Sequence, residues 1–302
     1  MNSVSDGPLT AEQIEHFIVH GTVVVPGCFS REFAQDWTDK AFVRLGYDKN
    51  DPSTWVQEIV HMPRLQSVAM QEIAPKAWAA ACQLLGGEDR VKPCTWGDSL
   101  IVNFHKGADQ PWQPPSPQVG GWHKDGDFFR HFLDSPEQGL LTIVFWSDVA
   151  PKGGGTFAAP DSVAPIARVL ADHPEGVPPR GPDDRPFSSL IHECKEFVEL
   201  TGQVGDVVFI HPYMLHASSQ NHSGKARFIT NPPVSLRDPM QFNRPDPADL
   251  SPLERSVLHA LGSQRLDFQP TQPRETFVSE GTKRKEAMIA EQKARLEAAG
   301  MA

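Results

Sequence analysis

Cysteine is scarce in this sequence, and the four that occur (Cys28, Cys82, Cys94 and Cys194) lie far apart. That spacing argues against a zinc–thiolate site and against a disulfide framework, which a chain of 302 residues does not need. They read instead as small apolar core residues in a reducing compartment. Long apolar runs are also missing: none approaches the ~18 residues of a membrane span. The opening MNSVSDGPLT has no basic stretch followed by an apolar one, and the closing AAGMA carries no address or prenylation box, so a cytoplasmic protein is expected. Positive charge is in deficit, with 28 Lys and Arg against 38 Asp and Glu. The net charge of −10 argues against sequence-independent nucleic-acid binding. No internal repeat is visible, and no linker separates two domains.

What is present is an ordinary globular composition, 39% hydrophobic and 22% charged, in three stretches. Residues 1–95 read as helical support. Thr10 opens TAEQIEHFIVHG with the Thr-x-x-Gln spacing of a capping box, and Ile14, Phe17 and Ile18 form a stripe that Gly21 ends. TVVVP (22–26) reads as a strand, and SREFAQDWTDKAFVRLG (30–46) as a helix capped by Ser30. A third helix is expected over 70–87, with Pro75 near its start or kinking it.

Over residues 96–240 the period changes. DSLIVNFH (98–105), GLLTIVFWSDV (139–149), GTFAAP (155–160), EFVEL (196–200), GDVVFIHP (205–212) and ARFITNPPV (226–234) are short β-branched or aromatic runs between turn residues. Such a series predicts a sandwich or barrel. QPWQPPSPQ (110–118) and HPEGVPPRGPDDRP (173–186) read as surface loops. PKGGGTF follows one strand and leads into another, so it reads as a turn; a phosphate-cradling loop would open a helix. Residues 241–302 form a helical tail, with helices over 251–262 and 282–300. The second reads as solvated, packing only Met288, Ile289 and Leu296. The three stretches read as one domain over 1–302.

The chemistry gathers around GGWHKDGD (120–127), where His123 and Asp125 stand two apart. In an extended chain such residues share a face and can converge on one object, such as a divalent metal ion. A surface loop with a chance ion pair is the plainer alternative. A third ligand is available from GDVVFIHPYMLHASSQN (205–221), which offers His211 and His216 at the end of one buried strand. His123, Asp125 and His216 have the composition of the two-histidine, one-carboxylate triad that binds iron(II) and leaves the opposite positions open. Arg227, eleven residues beyond His216, begins the strand RFIT. A guanidinium buried there needs an anion, and its fork matches a carboxylate. A small dicarboxylate chelating iron at one end would be held by Arg227 at the other.

WHKDGD, GLLTIVFWSDVAPKGGGTFAAPDS and GDVVFIHPYMLHASSQNHSGKARF together resemble the phytanoyl-CoA dioxygenase family of iron(II)/2-oxoglutarate-dependent oxygenases. The resemblance runs over residues 10–240, the TAEQIEHFIVHGTVVVPG opening included, and thins in the tail. It implies a mainly β fold with flanking helices, its core a double-stranded β-helix (jelly-roll, cupin-like) with iron at the open end. It also implies His123, Asp125 and His216 as ligands, with Arg227 on the distal carboxylate of 2-oxoglutarate. Ser218 would add a hydrogen bond to the cosubstrate, Trp146 would line its pocket, and His211 corresponds to a family histidine that is not a ligand. The implied reaction oxidises a small organic substrate with dioxygen and releases succinate and carbon dioxide. Related halogenases replace the carboxylate with a small residue, so an intact Asp125 favours hydroxylation, desaturation or ring formation.

His211 and His131 are the rival ligands. Lys124, Asp127, Arg130 and His131, which flank the ligand pair, are the candidate substrate contacts, and a solvated lid is their alternative role. The expected partners are the substrate, 2-oxoglutarate and dioxygen, with no nucleic acid and no membrane; a homodimer is compatible with the sequence. A non-catalytic jelly-roll protein that binds a metal or ligand is the rival class. A zinc hydrolase would leave Arg227 unexplained and would lack an obvious general base.

Overall fold

The N-terminal elements form where their capping signals stand. The structure is a computed structural model that describes residues 7–179, 187–278 and 280–301. Helix α1 (Ala11–His20) starts at Thr10, whose hydroxyl accepts the Gln13 N–H while the Gln13 side chain accepts the Thr10 N–H. Gly21 ends it in the left-handed conformation at φ 67°. Strand β1 (Thr22–Val25) and helix α2 (Arg31–Leu45), capped by Ser30, follow. The third helix is split into α3 (Met70–Ile73) and α4 (Pro75–Leu85). Ala74 between them has φ −140° because a residue before proline is pushed out of the helical region. Pro75 then opens α4, where its missing N–H costs nothing.

Three short strands escape the sequence reading: β2 (Ile59–His61), β3 (Ser67–Ala69) and β4 (Thr95–Gly97). The remaining strands are β5 (Ile101–Asn103), β6 (Leu140–Phe145), β7 (Thr156–Ala159), β8 (Val198–Leu200), β9 (Val207–Ile210), β10 (Leu215–Ser218), β11 (Arg227–Thr230) and β12 (Pro233–Val234). The larger sheet runs β1–β9–β6–β11–β5–β2, with β12 also beside β6; the smaller runs β10–β7–β8. Pairing among the described strands is antiparallel. Together the two sheets make the jelly roll, mainly β with helices at its flanks.

One expectation is corrected at the centre of the fold. His211 and His216 do not share a strand. Pro212 has no N–H to continue β9, and Met214 N turns back onto His211 O, so the chain crosses from the larger sheet to the smaller. His216 therefore sits on β10, opposite the sheet that carries Arg227.

Helices cover the outside. The aromatic rings of Phe29, Phe33 and Trp37 pack on Trp146 behind β6. Helix α5 (Val163–Asp172) is also absent from the sequence reading: Pro165 disguises it, although proline is tolerated in a first turn. Helix α6 (Pro252–Ala260) has the capping box Ser251–Glu254 and packs against α1. Helix α7 (Glu280–Ala298) packs against α2 and is less solvated than expected. Met288 meets the core, and Ile289 and Leu296 are half-buried. Gln292 is buried and accepts from Arg44 Nε (2.9 Å), while Arg295 donates to the Arg44 carbonyl.

All four cysteines are buried and free, as expected. Among the described residues no helix is long and apolar enough to cross a membrane. Residues 1–6 of the opening segment and 180–186 of the polar loop lie outside the described residues.

Candidate metal and cosubstrate site

His123 and His216 pair through their backbones. His123 N donates to His216 O (3.0 Å) and His216 N to His123 O (2.9 Å), so the segment preceding Asp125 adds to the free edge of β10. Each ring is then oriented by its own chain. His123 Nδ1 lies 2.8 Å from Gly121 O and His216 Nδ1 3.2 Å from Met214 O. A carbonyl only accepts, so both Nδ1 atoms carry the proton and both Nε2 lone pairs face outward from these bonds.

Those lone pairs meet at Asp125. Its Oδ1 lies 3.4 Å from His123 Nε2 and 3.6 Å from His216 Nε2, and the potential ligand atoms all fall within 4.8 Å of one another. Burial opposes ionisation of Asp125, but imidazoles that carry a proton at Nε2 as well override it, and this pairing with His216 and His123 holds the carboxyl well below the usual range. Burial and the neighbouring His216 lower the His123 pKa, which favours the neutral ring a metal requires. His216 Nε2 is buried with no hydrogen-bond partner, an expensive condition that a metal ion would relieve. Two imidazoles and one carboxylate are a donor set that suits iron(II).

Across the roll, Arg227 is 2% exposed. It donates through Nη1 to Ile101 O (3.2 Å), and its Nε has no partner. Burial without a compensating carboxylate lowers its pKa to about 9. Lys106 stands nearby, its pKa lowered by burial and by the Arg227 charge. Its Nζ donates to Ser218 O (2.6 Å) and lies 3.2 Å from Ser218 Oγ. A buried guanidinium without a carboxylate partner calls for an anion, and the half-buried Lys106 adds positive charge beside it. Beside Lys106 and Ser218 a cavity of about 400 Å³ opens, lined also by Gly121, Phe157 and Gln220; Arg227 and the His123, Asp125 and His216 side chains do not line it. Lys106 was missed in the sequence; its signal is a lysine directly after the buried run IVNFH.

The other expected residues scatter. Trp146 is not at the cavity: it stacks on Trp37 (4.5 Å, 14° between planes) and donates Nε1–H to Thr230, on the face of the larger sheet turned to α2. The strand alternates, and position 146 falls on the outward side. Lys124 turns beneath the loop, donating to Asp125 O (3.0 Å) and lying 2.9 Å from His131 Nδ1, between the Phe129 and Phe187 rings. Burial lowers its pKa to about 7. His131 is buried against it and lies outside the ligand cluster. Arg130 pairs with Glu275 (2.6 Å), and Asp127 is exposed near Lys285. His211 is buried on Phe17 and Tyr213, accepts the Tyr213 N–H at Nδ1, and has its pKa lowered by burial to about 3. Asn231, unnoticed in the sequence, donates to Asp125 Oδ2 (3.0 Å).

The sequence model of one family, phytanoyl-CoA dioxygenase, matches residues 17–229. No curated protein matches the chain significantly. Solved structures similar to it include EctD from S. alaskensis with 2-oxoglutarate and 5-hydroxyectoine, at 19% identity and TM-score 0.42, covering 76% of this chain and 77% of that one. HygX from Streptomyces hygroscopicus, with nickel and 2-oxoglutarate bound, is similar at 16% identity and TM-score 0.42 over 76% of this chain and 88% of the other. The epimerase SnoN with Fe3+, alpha ketoglutarate and nogalamycin RO gives 17% identity and TM-score 0.46 over 89% and 95%.

Proposed function

This chain belongs to the phytanoyl-CoA dioxygenase family of non-haem iron, 2-oxoglutarate-dependent oxygenases, and from that premise we propose that His123, Asp125 and His216 hold the iron while Arg227 anchors the cosubstrate. The observation that carries the assignment is the orientation of two imidazoles by their own backbones, so that both Nε2 atoms meet one carboxylate oxygen. When bound, iron with 2-oxoglutarate supplies the oxidising chemistry that uses dioxygen and releases succinate and carbon dioxide. The chain's own share is placement. Arg227 offers its free Nε–H and fork to the distal carboxylate. Lys106 and Ser218 are drawn together at the cavity wall and add a second cation and a hydroxyl to the cosubstrate.

The substrate in this reading is a small organic molecule that undergoes hydroxylation, desaturation or ring formation. The N-terminal helices, the roll and the tail act as one oxygenase domain, a reading that the packing of α6 on α1 and α7 on α2 supports. The four free, buried cysteines suit a cytoplasmic setting.

The test is anaerobic addition of iron(II) and 2-oxoglutarate, which should give the visible absorption of the chelate, followed by succinate release in air. His216→Ala should abolish both signals. His211→Ala should keep the absorption band and lower the melting temperature. A band that survives His216→Ala and vanishes with His211→Ala would overturn the ligand assignment.

A further inference from the structure

The two oxygens of Asp125 are used differently. Oδ1 faces the two Nε2 atoms, whereas Oδ2 accepts the hydrogen bond from Asn231 Nδ2 at 3.0 Å. Asn231 directly follows β11 and continues its alternation. Phe228 packs outward on Phe42, Thr230 takes the Trp146 N–H on that same side, and Arg227 and Asn231 take the other. The Asp125 backbone is fixed as well. Its carbonyl accepts from Lys124 Nζ, and Gly126 holds φ 118° where a Cβ would come within 2.6 Å of His131 and Phe129.

We propose that Asn231 is a positioning residue of the metal site, holding the Asp125 carboxylate so that it offers one oxygen to the ion. The inference rests on the assignment of His123, Asp125 and His216 as iron ligands. A carboxylate left free rotates and can present both oxygens to a cation. A second oxygen would take a position that the cosubstrate and dioxygen need. An amide is suited to the task because it restrains the group without neutralising it: Asn231 brings an N–H and no charge, so the full negative charge stays available to the metal. One strand thus carries both the cosubstrate anchor, at Arg227, and the restraint on the carboxylate, at Asn231.

The experiment uses the full-length protein stripped with a chelator and titrated with manganese(II), the free ion being read by electron paramagnetic resonance. Asn231→Ala should bind manganese about 10- to 100-fold more weakly than wild type, the usual effect of losing a group that orients a ligand. Asn231→Leu keeps the size without an N–H donor and without adding charge, so it should weaken manganese to a similar extent. Melting curves recorded beside each titration establish that the variants are folded. Wild-type affinity in either folded variant, with only the melting temperature lowered, would reduce Asn231 to a structural residue and overturn the inference. A wild type that takes up no manganese would overturn the ligand assignment itself, and this inference with it.

Discussion

Arg227 is where residue-level physics is most exposed to test. Its charge is buried, its Nε is unpaired and it acts on the neighbouring charge of Lys106. Removing a charge that pairs with a desolvated carboxylate costs roughly 2–5 kcal/mol. Arg227→Ala should therefore weaken 2-oxoglutarate by ~30-fold to several thousand-fold, at about 1.4 kcal/mol per decade. Metal content should stay near wild type, and Arg227→Lys should recover only part because the ammonium lacks the fork. Titrating succinate release against 2-oxoglutarate reads the effect; a wild-type curve for Arg227→Ala would remove the arginine from the cosubstrate site. The convergence of His123, Asp125 and His216 and the burial of Arg227 were legible, because His-x-Asp sets two side chains on one extended face and the arginine opens an apolar strand. Lys106 and Asn231 were not, because each acquires its role from a neighbour far away in the sequence, Ser218 and Asp125 respectively. Trp146 shows the reverse failure: the family correspondence suggested a pocket, and the alternation of β6 turned the ring to α2.

At the level of elements, local signals gave α1, α2 and α6 nearly residue by residue, since each cap is a short-range hydrogen bond. The three-residue strands β2 to β4 were invisible, because alternation cannot be read over so few positions. The α7 helix was legible in extent but not in function. A helix with so few apolar positions reads as solvated, yet it inserts Gln292 to satisfy Arg44, which is 1% exposed and also paired with Asp98. Gln292→Leu should leave the Arg44 Nε–H buried without a partner, at a cost of about 1–3 kcal/mol. Urea unfolding measures this. An unchanged midpoint would mean that solvent reaches Arg44 once the amide is gone.

Taken whole, the molecule ties the candidate metal ligands into its backbone. His123 and His216 are bonded to each other through their backbones, and the roll beneath them has a continuous apolar core. Stripping iron with a chelator should therefore leave the far-ultraviolet circular dichroism unchanged. The loss of linkage should lower the melting temperature by only several degrees, since a ligand at 100 times its Kd adds about 2.7 kcal/mol. Collapse of the dichroism on chelation would show instead that the ion organises the fold. The same economy extends beyond the family-matched stretch. Residues 275–277 pair with 128–130, and Arg130 N donates to Glu275 O just downstream of Asp125.

The displaced tryptophan has a use of its own. Trp146 and Trp37 lie 4.5 Å apart and nearly parallel, close enough for their indole transitions to couple, and Trp146 is tied by one hydrogen bond to Thr230. Thr230 stands between Arg227 and Asn231, whose side chains take the opposite face. Near-ultraviolet dichroism of this indole pair should therefore report on β11 from the side opposite Arg227 and Asn231.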